Sequence, residues 1–238
     1  MISQIELGGI VLEVVKKDIK NIHLSVYPPS GRVRVSAPRQ MKTESIRMFV
    51  IAKLGWVRKQ QKKMQGQVRE TKREYINHES HYVWGKRYLL KLVEVEAVPR
   101  IELQHSKLLL QIRPQSAVAT RKEVLATWYR QLIREAVPQL IEKWEPRMKV
   151  KVRRLFVQQM KTRWGTCNTR ACTIRLNTEL AKKPKGCLEY VVVHEMVHLL
   201  EPSHNPRFFQ LMDQFMPQWR HMRDLLNSLP AKNERWSY

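Results

Sequence analysis

The first forty residues alternate between apolar and polar positions in short runs, a pattern typical of β-strands. β-branched residues dominate positions 10–15, and the alternation returns at positions 22–26 and 33–35. The last two runs are separated by turn-forming residues at positions 28–31. The pattern predicts two or three antiparallel strands at the start of the chain.

The spacing of apolar residues changes over positions 43–65, where they recur every three to four residues. The residues that share this spacing are Ile46, Phe49, Val50, Leu54 and Val57. The segment ends in residues rich in Lys, Arg and Gln. The spacing predicts one amphipathic helix over 43–65 with a strongly basic far end.

Strand-like alternation returns between positions 81 and 113, with strands predicted at 82–85, 88–95, 101–103 and 108–112. A polar turn at 104–107 separates the last two. The order of glycine and strand at positions 8–16 recurs loosely at 85–95, which is too weak to define a repeat.

The second half of the chain is predominantly helical. A helix is predicted over 120–146, with a kink or division at Pro138, whose ring clashes with the preceding turn. Short strands follow at 150–157 and 172–176, and then helices at 187–200, 205–215 and 218–228. These elements predict an α+β fold, with a β-rich N-terminal region over 1–117 and a second, predominantly helical region over 118–238.

Composition narrows the class of protein. The 238 residues are 43% hydrophobic, which excludes an intrinsically disordered chain. No secretory leader or membrane-spanning run is evident, and three cysteines make no disulfide framework, so we expect a cytoplasmic protein without membrane contact. The net charge of +23 favours attraction of polyanions, including non-specific binding of nucleic acid.

The segment from Val191 to His198 contains the pattern HExxH. On a helix, His194 and His198 lie one turn apart and face the same way, so both imidazoles can bind one zinc ion. Glu195 projects beside them and can act as general base toward a zinc-activated water. The pattern predicts a zinc-dependent hydrolase with one zinc ion per chain.

A third protein ligand is needed to complete such a site. Pro202 is expected to end the helix near Leu200, so that the chain turns back and brings His204 to the metal. Glu201 is the main competitor for this position. Glu189 is either an outer partner of the site or an ordinary exposed residue.

The segment Arg163-Trp164-Gly165-Thr166-Cys167 precedes this helix. In one interpretation Arg163 holds an anionic substrate group or stabilises an oxyanion, and Trp164 lines the pocket. In the other, the segment is a structural corner in which Gly165 permits the turn. The strand at 172–177 is predicted to be an edge strand that aligns an extended peptide.

Several motifs in this order resemble the YgjP-like metallopeptidase family of bacterial metal-dependent hydrolases. The matching positions are 161–167, 174–177, 188–198, 204, 208 and 216–220. The resemblance covers roughly residues 20–225 and implies a zincin-like core, zinc bound by His194, His198 and His204, and Glu195 as the catalytic carboxylate. The histidine spacing also resembles that of the WLM proteases, which act on proteins attached to DNA, and of metzincins. Metzincins, however, carry a glycine where this chain has Glu201.

Three functions remain open from the sequence. The first is a metallopeptidase that acts on peptides or proteins. The second is a nucleoside triphosphate pyrophosphohydrolase, acting for example on UTP through the same zinc site. The third is a nucleic-acid-associated module in which zinc is structural, although such a site has no use for Glu195 beside the metal.

Overall fold

A computed structural model describes residues 2–27, 30–65, 73–160 and 163–228 of the chain. These residues form six α-helices, one short 3-10 helix and eleven strands arranged in three sheets. The described residues up to 65 belong to one compact unit, and those from 73 to 228 belong to a second. Both helices and sheets contribute to each unit, consistent with a mixed α and β structure.

The first unit contains a four-stranded sheet in the order β1-β2-β4-β3. Its strands are β1 (Ile2–Leu7), β2 (Ile10–Lys17), β3 (His23–Tyr27) and β4 (Arg32–Pro38). The prediction of antiparallel strands is wrong for β2 and β4, which pair in parallel with Val14 opposite Val35. This pairing places Leu12 and Val33 side by side on the buried face of the sheet.

The helix predicted over 43–65 is two helices, α1 (Thr43–Ile51) and α2 (Leu54–Gln65). A tight turn separates them, closed by a hydrogen bond from the Lys53 amide to the Val50 carbonyl. Three apolar side chains from the two helices are buried against the sheet: Ile46, Val50 and Val57. The predicted turn at 28–31 falls partly on residues 28 and 29, which lie outside the described residues.

The second unit begins with a sheet of the same topology, in the order β5-β6-β8-β7. Its strands are β5 (Ser80–Val83), β6 (Lys86–Glu94), β7 (Arg100–Gln104) and β8 (Lys107–Ile112). As in the first sheet, the two inner strands are parallel and both outer pairs are antiparallel. The loose similarity of positions 8–16 and 85–95 therefore coincides with a shared strand order. This similarity was too weak to predict that order from the sequence.

The long helix α3 (Val118–Met148) is continuous, so Pro138 does not divide it, and a kink at Pro138 stays a prediction. The side chains of Ile133, Val137 and Trp144 are buried in the core on both sides of the proline, and this packing holds the helix together. Burial of an apolar face offsets the hydrogen bond that the proline removes.

A three-stranded sheet follows, in the order β10-β11-β9. Its strands are β9 (Arg154–Gln158), β10 (Gly165–Asn168) and β11 (Thr173–Asn177), of which β10 was not predicted. The remaining elements are a 3-10 helix (Thr178–Lys182) and the helices α4 (Lys185–Val197), α5 (Pro206–Phe215) and α6 (Trp219–Ser228). None of the helices among the described residues combines the length and apolar character needed to cross a membrane.

The compact units divide between residues 72 and 73, whereas the sequence places a boundary between 117 and 118. The difference arises because the second sheet has no separate core. Leu90 and Leu110 of that sheet share one hydrophobic cluster with Leu125 and Ile133 of α3 and with Val192 of α4.

Candidate metal centre

Helix α4 carries His194 and Glu195 on a largely buried element. Leu188, Val192 and Met196 are buried in the core of the second unit, so the helix is held on its apolar side. His194 is half-buried and Glu195 is only 5% exposed. Because the apolar side of α4 is buried, His194 and Glu195 lie where the core meets a cleft.

Helix α4 ends before Leu200, where the sequence predicted that Pro202 would stop it. α4 stops at Val197, and His198 caps it with nearly helical backbone angles (φ −61°, ψ −21°). The side chain of His198 therefore still lies one turn beyond that of His194. The chain then reaches α5, whose first turn is capped by a hydrogen bond from the Phe208 amide to Asn205 Oδ1 (3.0 Å).

The three predicted histidines come together in the structure. Nε2 of His204 lies 3.0 Å from Nε2 of His194, and one ring nitrogen from each of the three histidines lies within 4.8 Å of the others. A tetrahedral ion bonded at about 2.0–2.1 Å would hold pairs of nitrogens roughly 3.3 Å apart. Imidazole nitrogens in this arrangement suit a divalent ion such as zinc.

The protonation and orientation of the rings fit the same role. Burial, with smaller contributions from His198 and His204, lowers the pKa of His194 to about 3. Burial also lowers the pKa of His198, so both rings are neutral near pH 7 and keep a lone pair for a metal. His198 Nδ1 lies 3.2 Å from the carbonyl oxygen of Glu201, which can accept a hydrogen bond from Nδ1–H and so leave the lone pair of Nε2 for the ion.

Phe208 supports all three rings and was not identified as a functional residue. Its ring centroid lies 5.0 Å from that of His194 and 4.7 Å from those of His198 and His204. Phe208 is only 1% exposed, so its ring forms an apolar floor beneath the histidines. Its position in α5, four residues after His204, was the available sequence signal.

The carboxylate of Glu195 lies against the backbone of β10. A Cβ atom built on Gly165 would stand 2.6 Å from Glu195 Oε1, closer than side chains tolerate. Burial raises the pKa of Glu195 to about 8, and the charge of Arg163 opposes this shift. The sequence indicated Gly165 only as a residue that permits a turn, and its role beside Glu195 was missed because only the tertiary contact shows that a side chain there would collide with the carboxylate.

A cleft of about 560 Å³ opens in front of these groups. Besides the three histidines and Glu195, its lining includes Arg163, Trp164, Thr166, Cys167 and Tyr190. The two residues predicted to contact substrate, Arg163 and Trp164, thus border the same cleft as the histidines. Burial, followed by the nearby charge of Glu195, raises the pKa of the Cys167 thiol to about 11.

Asn177 holds the segment that carries Arg163 and Trp164. Its side-chain nitrogen donates to the carbonyls of Met160 and Arg163, both at 2.9 Å. Its side-chain oxygen accepts from the amides of Met160 (3.3 Å) and Glu179 (3.2 Å). All four hydrogen-bonding positions of this amide are used, so the backbone at Met160 and at Arg163 is tied to the end of β11.

The carboxylates of Glu189 and Glu201, which the sequence offered as an outer partner and as an alternative ligand, make other contacts. The Glu189 carboxylate accepts hydrogen bonds from Lys143 Nζ (2.6 Å) and Trp144 Nε1 (3.0 Å). The Glu201 carboxylate accepts a hydrogen bond from the Ser203 amide (3.2 Å). Among the described residues, the cluster that could hold a metal ion consists of the three histidines and does not include Glu201. The edge strand beside the cleft is β10 rather than 172–177, because β11 lies between β10 and β9.

Comparisons with known proteins point to a family. The family described as YgjP-like, metallopeptidase domain, matches residues 20–229 of the chain. The metallopeptidase zymogen abylysin from Pyrococcus abyssi is 17% identical, with a TM-score of 0.36 and 38% of this chain and 90% of that chain covered. The metallopeptidase zymogen jannalysin from Methanocaldococcus jannaschii is 14% identical, with a TM-score of 0.34 and coverage of 38% and 92%. A search of curated proteins gave no match.

Proposed function

This chain belongs to the YgjP-like metallopeptidase family, and we propose that it is a zinc-dependent peptidase in which Glu195 is the general base. The observation that carries the proposal is the convergence of three histidine rings and one buried carboxylate on a single cleft. A scaffold site would need the histidines alone, whereas the nearby carboxylate serves hydrolysis.

The ligands of the metal are His194, His198 and His204. Three protein ligands leave the fourth position of a tetrahedral ion open to water or substrate, as catalytic zinc sites require. When bound, zinc would supply Lewis-acid chemistry, lowering the pKa of water toward neutrality and polarising a substrate carbonyl. Phe208 keeps the three rings in place from below, which fixes the geometry before the ion binds.

Glu195 performs the proton transfers of the reaction. Peptide hydrolysis requires removal of a proton from the attacking water and delivery of a proton to the leaving nitrogen. The Glu195 carboxyl group borders the cleft beside the histidines without being one of the three clustered ligands, so it is available for both transfers. Burial raises its pKa to about 8, and the positive charge of a bound ion would lower that pKa and favour the carboxylate that accepts the proton of the water. Gly165 lets the carboxylate lie directly against β10.

The wall of the cleft offers contacts to a polypeptide. β10 is an edge strand, so its free main-chain groups can pair with an extended peptide. Arg163 is exposed at the start of this wall and can hold a carboxylate or the oxygen on which negative charge develops. Trp164 supplies an apolar surface beside it.

One observation keeps nucleotide hydrolysis as a second candidate. Arg163 in the cleft would suit a phosphate group of a nucleoside triphosphate such as UTP as well as it suits a peptide. Peptide hydrolysis is preferred because the edge strand matches an extended main chain, which a nucleotide lacks.

The substitution Glu195→Gln tests the proposal. It removes the base but keeps the size and hydrogen bonding of the side chain, so the variant should bind one zinc ion and fold normally. Hydrolysis should fall by about 10²–10⁴-fold, the usual contribution of a positioned general base. The assay compares an unfolded protein substrate with common nucleoside triphosphates, and the substrate on which only the wild type acts identifies the reaction.

Glu189→Gln is the matched control, because Glu189 lies on the same helix and its carboxylate binds Lys143 and Trp144 instead of facing the cleft. It should leave turnover unchanged. Full activity of Glu195→Gln would exclude Glu195 as the base. Elemental analysis that finds undiminished zinc in His204→Ala would exclude His204 as a ligand.

A further inference from the structure

The three-stranded sheet β10-β11-β9 buries only one of its faces. Val157, Ile174 and Leu176 point into the core of the second unit. Apart from Asn177, which has the same alternation but is buried at the end of β11, the opposite face consists of side chains at alternate positions of the three strands: Arg154, Phe156, Gln158, Thr166, Asn168, Thr173 and Arg175. We call this surface the Phe156 face. Most of its members are exposed, and Phe156 itself is 42% exposed.

The sequence that builds this sheet contains no acidic residue. Between positions 149 and 178 there is no Asp or Glu, whereas eight residues are Lys or Arg. Arg154 and Arg175 stand on the Phe156 face, and Arg170 lies in the connection between β10 and β11. In the part of the chain that the structure describes, no salt bridge involves these three arginines. The face therefore presents positive charge that forms no ion pair with a carboxylate within the described ranges 2–27, 30–65, 73–160 and 163–228.

Phe156 lies next to both Arg154 and Arg175 on this face. Arg175 and Phe156 are opposite one another on adjacent parallel strands, and the guanidinium of Arg175 lies 5.6 Å from the centre of the Phe156 ring. This cation–π contact holds the planar guanidinium of Arg175 beside the ring of Phe156 on an exposed surface. A phenylalanine that stays 42% exposed on a polar sheet face leaves much of its ring in solvent, where it offers a surface on which a flat ligand can stack.

We propose that the Phe156 face binds single-stranded nucleic acid. A base stacks on Phe156, and neighbouring phosphates pair with Arg154 and Arg175. Two features favour a single strand over other polyanions. A duplex hides the faces of its bases, and an acidic peptide would use the arginines without the ring.

The binding surface adjoins the candidate catalytic cleft. Thr166 belongs to the face and also lines the cleft, and its neighbours Gly165 and Cys167 in β10 line the cleft as well. The proposal does not depend on the proposed function, because binding can be measured whether or not the chain hydrolyses peptides.

Fluorescence anisotropy with a short labelled oligothymidine, using the full chain, tests the proposal. Phe156→Leu keeps an apolar side chain of similar size but removes the ring, and should weaken binding by about 5-fold to about 100-fold, the range for loss of one stacked base. Arg175→Ala should weaken binding and reduce the slope of log affinity against log salt by about 1. Circular dichroism checks that both variants fold.

Matched controls come from the second four-stranded sheet. Tyr82 is exposed on β5 and Arg87 is exposed on β6, and neither belongs to the Phe156 face. Tyr82→Leu and Arg87→Ala should leave affinity and salt slope unchanged. Equal losses in control and test variants would overturn the proposal, as would unchanged binding by a folded Phe156→Leu. Displacement of the oligothymidine by polyglutamate as readily as by unlabelled single strand would show an acidic polypeptide surface instead.

Discussion

The two four-stranded sheets have the same strand order, but their first turns have different surroundings. Both turns have two residues, Gly8-Gly9 in one and Trp84-Gly85 in the other, and all four have positive φ. Such angles suit the tight turns whose twist matches that of the strands. A Cβ atom added to Gly9 would meet nothing within 4 Å, whereas one added to Gly85 would lie 2.9 Å from Pro184 Cγ.

The second turn is attached to the segment that leads into the metal-binding helix. The Trp84 amide donates to the carbonyl of Ala181 (2.8 Å), and the Gly85 amide donates to that of Lys182 (3.2 Å). α4 begins three residues later, at Lys185. In the first unit the turn contacts helix α2, where the Arg58 guanidinium donates to the Gly8 carbonyl (3.0 Å). The comparison teaches that the same hairpin contacts an ordinary amphipathic helix in one unit, whereas in the other it fixes the start of the helix that carries the candidate site.

The largest expected difference between the two units is their response to zinc. Free zinc at about 1,000 times its dissociation constant should stabilise the unit that holds the histidines by about 4 kcal/mol. Hydrogen exchange resolved by segment should show the added protection in α4 and β9–β11 and none in β1–β4. Equal protection in β1–β4 would mean that the first unit is not independent of the metal. Chelation of zinc should reverse the effect.

The two turn glycines should respond unequally to alanine. Gly9→Ala should cost about 1–2 kcal/mol, the strain of a left-handed conformation in a residue with a side chain. Gly85→Ala adds a collision with Pro184 and should cost about 3 kcal/mol or more. Urea denaturation of both variants measures the difference. A cost for Gly85→Ala no greater than that for Gly9→Ala would contradict the docking of the second turn.

A third contrast compares two glycines with ordinary backbone angles. Gly165 is pressed against Glu195, whereas a Cβ on Gly55 in α2 meets nothing within 4 Å. Gly165→Ala should reduce kcat tenfold or more, a rise of about 1.4 kcal/mol in the activation barrier, with zinc still bound. Gly55→Ala should leave kcat unchanged.

The double variant Gly165→Ala/Glu195→Asp sharpens this test, because a shorter carboxylate makes room for the added methyl group. The loss caused by Glu195→Asp should be smaller in the Gly165→Ala background than in the wild type. Additive losses would argue that Gly165 does not position the carboxylate.

The smallest effect concerns the cysteines, all of which lie in the second unit. Burial raises the pKa values of Cys167 and Cys187, so at pH 7 less thiolate is present than in an unfolded chain. Alkylation of these two residues should be slow in the folded protein and should accelerate when the second unit unfolds. Mass spectrometry of the labelled peptides measures both rates. Rapid labelling of Cys167 under native conditions would contradict its burial beside Glu195.

The sequence by itself determined the features that depend on neighbours a few residues apart. The spacing of His194 and His198 requires only one turn of helix, and the long apolar face of α3 requires only helical periodicity. The strands of both four-stranded sheets follow from alternation, although β1 was not predicted and the helix at 43–65 is broken at Lys53. Each of these features depends only on residues that are close in the sequence, so the order of residues is enough to predict it.

Only the tertiary structure decided the features that join distant segments. The parallel pairing of β2 with β4 and three of the four hydrogen bonds of Asn177 link residues well apart in the sequence, and the edge position of β10 depends on the order of the whole sheet. Gly165 meets Glu195 across thirty positions, and its importance lies in a side chain that is absent. Short-range periodicity specifies which face of an element is apolar, but the choice of partner for that face is made by packing of the whole chain.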